Sequence, residues 1–155
     1  MDNKFHTVRG YEIKSYNEKI ITSAMEDYIE MIYRYLLEEK YIRVNQLSKL
    51  LNVSNSSVSK MVQKLTKLGL INYEKYGVIT MTKKGKNLGH FLLKRHNIIE
   101  EFLTFIGCTD DILIQTELIE HIINKETIER MEKLLTFFKS NKDVMEKYEQ
   151  YKKNT

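Results

Sequence analysis

Six side chains have types and spacings that could hold a divalent cation. Glu117, Glu120 and His121 lie three and four residues apart within "TELIEHIINKETIERM", so a helix would set all three on one face. Asp27 and Glu30 share the face of an earlier helical segment at i and i+3, and His96 follows Arg95 in a long segment between the two groups. Carboxylates crowded beside an imidazole repel one another unless positive charge sits among them. Oxygen and imidazole donors without thiolate suit a hard or borderline ion of high coordination number, Mn²⁺ or Fe²⁺, better than structural zinc. Six side chains including four carboxylates could hold two ions, with bridging carboxylates offsetting the paired charge. Each part also has an ordinary reading. An acidic pair early in a helix stabilises the helix dipole, and a single histidine is commonly a surface or core residue.

Three helical segments must position these donors. "SAMEDYIEMIYRYLLEEK" has apolar residues at Met25, Tyr28, Ile29, Ile32, Tyr33, Leu36 and Leu37, a helical period with Ser23 as N-cap and Glu26 in the capping-box position. "KNLGHFLLKRHNIIEEFLTFIG" reads as a long helix stopped by Gly107, a natural residue just past a helix end. Two or three further helices follow through "KYEQYKK". Phe91, Leu92, Ile98, Ile99, Phe102 and Phe105 offer more apolar face than so small a bundle needs, and a homodimer would bury the surplus.

Between the acidic groups lies a second kind of chemistry. Val44, Leu47, Leu50 and Leu51 mark a short amphipathic helix, "NVSN" a turn, and Val58, Met61, Val62 and Leu65 a second helix ending near Gly69. Two short helices joined by a tight turn form a helix-turn-helix. β-favouring runs on either side of Tyr76-Gly77 in "LINYEKYGVITMTKKG" predict a hairpin, which makes the unit a winged helix-turn-helix. A recognition helix sets its first turn against base edges and its flanks against phosphates. That turn reads Ser54, Asn55, Ser56 and Ser57, with Ser59, Lys60, Gln63 and Lys64 following on the outer face and Lys75 on the hairpin. Small hydroxyls allow close backbone approach, Asn and Gln can read adenine, and lysines take phosphates.

The net charge of +4 is mild, but lysines crowd the middle of the chain and carboxylates its flanks. Such a distribution suits a protein that meets phosphate with one part and cations with another. The single cysteine, Cys108, rules out an internal disulfide framework and a thiolate zinc site; it reads as a small residue near a helix end. No apolar run approaches the roughly 18 residues that would span a bilayer, and the N-terminus lacks a secretory core. The expected location is the cytoplasm.

"MEDYIEMIYRYLLEEKYIRV", "SSVSKMVQKL", "YEKYGVITMTKKGK", "KRHNIIEEFL" and "IEHII" together resemble the manganese transport regulator branch of the diphtheria-toxin-repressor family, in order and over residues 24–140. The resemblance implies a mainly α, homodimeric, cytoplasmic repressor. Its expected parts are an N-terminal extension (1–22), a winged helix-turn-helix DNA-binding domain (23–86) and an all-helical dimerisation and metal-sensing domain (87–155). The metal ligands carried over are Asp27, Glu30, His96, Glu117, Glu120 and His121, each with the expected residue type. Iron-sensing relatives place methionine where this chain has Asp27, so the carboxylate favours Mn²⁺. The extension is longer than this branch leads one to expect, and the resemblance assigns nothing to His6 or Arg9 within it. Ending in "KYEQYKKNT", the sequence leads one to expect the shorter manganese type, without the SH3-like domain of larger relatives.

The expected function is a manganese-responsive repressor of metal-uptake genes, with two Mn²⁺ per subunit and a palindromic double-stranded operator. No membrane or small organic ligand is expected as a partner. An iron(II)-responsive repressor and a winged-helix regulator of a small organic ligand are the alternatives. A di-iron or di-manganese carboxylate enzyme is disfavoured, because such bundles use Glu-x-x-His and neither His96 nor His121 has a glutamate three residues before it.

Overall fold

In the computed structural model, residues 21–154 are described; most of the 1–22 extension, including His6 and Arg9, lies outside them. The described residues form seven α-helices and a small antiparallel sheet, in two compact units that part between Gly89 and His90.

The first unit opens with α1 (Ser23–Leu36). Its N-cap is Thr22 rather than Ser23: Met25 N–H donates to Thr22 Oγ1 at 3.4 Å. Adjacent hydroxyl residues both fit a cap by type, and only the geometry separates them. The helix also stops earlier than its apolar run suggests, leaving Leu37 exposed past the end while Tyr28, Ile29 and Ile32 are buried. A two-residue strand, β1 (Ile42–Arg43), leads into α2 (Val44–Leu51). Leu47 is fully buried there, but Leu50 is exposed despite its place in the apolar pattern. Asn52 takes a left-handed conformation that ends α2, a role its short polar side chain tolerates.

The helix α3 (Asn55–Lys67) buries Val58, Val62 and Leu65. Its strands β2 (Ile71–Glu74) and β3 (Val78–Met81) pair around a three-residue turn, and β1 adds to the other side of β3, giving the order β1-β3-β2. The helix-turn-helix and hairpin therefore stand as expected, with one extra short strand. At the hairpin tip Tyr76 has φ +65° and Gly77 φ +74°. A left-handed conformation is unfavourable for tyrosine, and Arg43 Nη1 holds the tip by donating to the Tyr76 carbonyl at 3.0 Å.

Thr82 joins the hairpin to α4 (Lys83–Ile106). Its hydroxyl donates to the Gly69 carbonyl at 2.7 Å and accepts from Gly85 N–H at 3.0 Å, so one side chain ties the end of α3 to the start of α4. Gly85 is obligatory at this junction: a Cβ there would run into the carbonyl of Leu70.

In the second unit α4 continues to Ile106 and is followed by α5 (Ile112–Glu120), α6 (Lys125–Ser140) and α7 (Lys142–Lys153). Ile98, Ile99, Leu103, Ile128 and Leu135 form its core, with Phe102, Phe105 and Cys108 packed partly against it. Phe105 stacks near Phe138 and Tyr148 at 4.8 and 4.9 Å between ring centroids. Lys152 Nζ donates to the Phe105 carbonyl at 3.1 Å, placing positive charge at the negative end of α4. Ile98, Ile99, Phe102 and Phe105 of α4 thus pack into the core of this unit instead of supplying the expected surplus. The surplus lies on α5 and just past it, where Leu113, Ile114, Leu118 and Ile122 are 54–72% exposed. Periodicity identifies an apolar face but not what covers it.

Candidate metal centre and nucleic-acid interface

In the second unit a group of donor atoms centres on Glu120, the last residue of α5 and only 4% exposed. His96, buried on α4, places Nδ1 2.9 Å from Glu120 Oε2. His121 continues the chain in helical conformation as the C-cap of α5, with Nε2 3.8 Å from Glu120 Oε1. One buried carboxylate therefore meets an imidazole at each oxygen. Burying a lone carboxylate would cost several kcal/mol, so this arrangement needs partners of the kind it has. Glu117 is on the same helix but exposed.

In the first unit Asp27 and Glu30 are one turn apart on α1, Asp27 exposed and Glu30 buried. Arg34 donates to Glu30 Oε1 from both Nε (2.9 Å) and Nη2 (2.6 Å). Between Asp27 and Glu30 in the chain, burial pushes the Tyr28 phenol above its ordinary value. These contacts supply the positive or imidazole partners that crowded carboxylates need. Each buried carboxylate already has a cationic or imidazole partner in its own unit: Glu30 has Arg34, and Glu120 has His96. Arg34 was legible as an i,i+4 partner of Glu30, but a search for ligands alone passes over it.

The donors fit a hard divalent ion by chemistry: carboxylate oxygens and imidazole nitrogens, with one carboxylate already drawn into contact with two imidazoles.

The other candidate surface is the outer face of α3. Ser54 caps the helix, its Oγ accepting from Ser57 N–H at 3.2 Å and lying 3.0 and 2.9 Å from Ser56 Oγ and Ser57 Oγ. Capping satisfies an otherwise orphaned backbone donor and is worth about 1 kcal/mol. Ser54, Asn55, Ser56, Ser57, Lys60, Gln63 and Lys64 are exposed, opposite the buried Val58, Val62 and Leu65, and Ser59 is only half exposed. Lys75 is exposed on the hairpin turn. Beside it Tyr76, 88% exposed, is a tip residue that reading by charge and hydrogen-bonding type does not select.

Residues 21–79 match the family described as iron dependent repressor, N-terminal DNA binding domain, and residues 82–148 match the iron dependent repressor, metal binding and dimerisation domain. The chain belongs to the iron dependent repressor family. Among curated relatives, the HTH-type transcriptional regulator MntR of Lysinibacillus sphaericus is 42% identical over 83% of this chain and 93% of its own. The regulator of the same name from Oceanobacillus iheyensis is 44% identical over 77% of this chain and 82% of its own. Among solved structures, that of the manganese regulator SloR superposes with a TM-score of 0.64 at 34% identity, over 73% of this chain. This chain spans only 54% of the length of that one. The mainly helical architecture, with a DNA-binding domain followed by a metal-binding and dimerisation domain, is that of the family. None of the described helices is long and apolar enough to cross a membrane.

Proposed function

We propose that this chain is a manganese-responsive, DNA-binding transcriptional repressor of metal-uptake genes, acting in the cytoplasm and not as an enzyme. One observation carries the proposal: in a metal-binding domain of this family, a buried carboxylate, Glu120, is met at its two oxygens by His96 and His121. The relatives named as manganese regulators support the choice of ion, as does the carboxylate Asp27.

Asp27, Glu30, His96, Glu117, Glu120 and His121 form the ligand set, enough donors for two Mn²⁺ per subunit. Bound ions would supply positive charge to the carboxylate donors, Asp27 and Glu30 of α1 and Glu117 and Glu120 of α5. Asp27 and Glu30 belong to the helix that opens the DNA-binding domain (23–86), while the remaining four belong to the sensing domain (87–155). The proposed set thus draws donors from both domains, which would couple metal occupancy to DNA binding. The apolar stripe of Leu113, Ile114, Leu118 and Ile122 meets its counterpart in a second copy, giving a homodimer. Two recognition helices held at a fixed separation suit the half-sites of a palindromic operator. Ser56, Ser57 and Gln63 face base edges; Lys60, Lys64 and Lys75 take phosphates. The extension 1–22 has no assigned part, and no small organic ligand is required.

The test compares Mn²⁺ with Fe²⁺ under anaerobic conditions, measuring stoichiometry by calorimetry and DNA affinity by fluorescence anisotropy at fixed salt. The proposal expects two Mn²⁺ per subunit, with DNA affinity rising at lower free Mn²⁺ than free Fe²⁺. An equal or stronger response to Fe²⁺ would favour the iron-responsive reading.

A further inference from the structure

The Arg34–Glu30 pair does more than stabilise α1. We infer that Arg34 is a built-in competitor for Glu30, a cation tethered to the helix that sets how much free Mn²⁺ the sensor needs. This deepens the proposed function and rests on its assignment of Glu30 as a ligand.

Both hydrogen bonds from Arg34 fall on the same carboxylate oxygen, Oε1, from Nε at 2.9 Å and Nη2 at 2.6 Å. A carboxylate oxygen has two lone-pair sites, and these two N–H groups occupy both. A cation ligating through that oxygen must displace at least one of them and also meets the repulsion of the guanidinium charge. The helix makes the competitor unavoidable, because i and i+4 side chains on one face are neighbours. The exposures also differ. The Glu30 side chain is 10% exposed, whereas that of Arg34 is 38% exposed. The carboxylate is therefore largely enclosed while its competitor has an open path to water, as a displaceable counterion requires.

The Arg34 end of the pair is open to water, so the guanidinium can be displaced, and its loss translates into a modest change in affinity. Arg34→Met, which keeps the aliphatic stem and removes the charge, is expected to tighten Mn²⁺ binding about two- to tenfold. Arg34→Lys should fall between that variant and the parent, since lysine restores the charge without the forked donor geometry.

The experiment is calorimetric titration of the full chain with MnCl₂ at fixed ionic strength, with thermal melts of each variant lacking added metal. Arg34→Met should lower both the Mn²⁺ Kd and the melting temperature. A purely structural ion pair would lower only the melting temperature. In a Glu30→Gln background, Arg34→Met should leave the Kd unchanged. Arg130→Met, which removes a surface charge paired with Glu126, should have no effect on the Kd. An unchanged or weaker Kd for Arg34→Met, or equal tightening by Arg130→Met, overturns the role of Arg34. Should Glu30→Gln bind Mn²⁺ as tightly as the parent, it is the assignment of Glu30 as ligand that fails. Should Glu30→Gln weaken binding while Arg34→Met does not tighten it, that assignment stands and only the competitor role is lost.

Discussion

Replacing Glu120 by glutamine keeps size and shape but removes one negative charge. The parent carboxylate lies 2.9 Å from His96 Nδ1 and 3.8 Å from His121 Nε2, and it is 4% exposed. Glutamine can still accept a hydrogen bond from His96, so folding loses only the difference between a charge-assisted and a neutral bond. That difference is about 1 kcal/mol, equivalent to a fall of roughly 2–4 °C in melting temperature for a chain of this size. The metal site loses far more. Removing a partner that merely orients a ligand typically costs about 10- to 100-fold in metal affinity, and an anionic donor should cost at least the upper end. The expected loss is about 100-fold, or nearly 3 kcal/mol. Mn²⁺ titration calorimetry and a thermal melt on the same preparation separate the two effects. A Glu120→Gln protein whose Kd stays within about threefold of the parent, with the small melting shift present, would make Glu120 a buried structural residue and refute the ligand assignment.

Three further outcomes follow from the same structure. Leu118→Glu, on the exposed α5 stripe, should give monomers in sedimentation velocity, since each buried leucine contributes about 1.5–3 kcal/mol to an interface and a symmetric dimer buries two copies; a persistent dimer would place the interface elsewhere. Lys64→Ala should weaken DNA binding uniformly across sequences and reduce the salt-dependence slope by about one, whereas Gln63→Ala should cost about 1–3 kcal/mol on the preferred sequence alone; interchanged effects would reverse their assigned roles. Gly85→Ala should destabilise the first unit by about 3 kcal/mol, because the added methyl meets the Leu70 carbonyl, which also accepts from Thr82 N–H at 3.2 Å; an unchanged melting temperature would contradict that packing.

Much of the fold was readable because its punctuation is chemical. Asn52, Gly69 and Gly107 all adopt positive φ and lie where the apolar periods break, so α2, α3 and α4 end where the residue types say they should. The strand β1 was not readable, since two residues carry no period and Ile42–Arg43 is a strand only because β3 pairs with it. Leu37 and Leu50 fit the helical pattern yet are exposed, because local spacing does not specify where neighbouring elements stop covering a face. The same ignorance assigned the surplus apolar surface to Phe91–Phe105 instead of Leu113–Ile122. At the candidate site, spacing grouped Glu117, Glu120 and His121 correctly as helix neighbours, but only the tertiary structure distinguishes exposed Glu117 from buried Glu120. The approach of His96 across 24 residues to Glu120 is a long-range contact that no local pattern encodes.

The central claim is that metal occupancy and DNA binding are coupled through the six ligands. Its most direct test measures affinity for a palindromic duplex, selected from random DNA in the presence of Mn²⁺, as a function of free Mn²⁺ at fixed salt. The parent chain should gain about 5- to 150-fold in affinity, a coupling of about 1–3 kcal/mol, and the variant carrying Asp27→Ala and His121→Ala should gain almost none. A parent whose DNA affinity is indifferent to Mn²⁺, or a double variant that responds equally, would contradict the account.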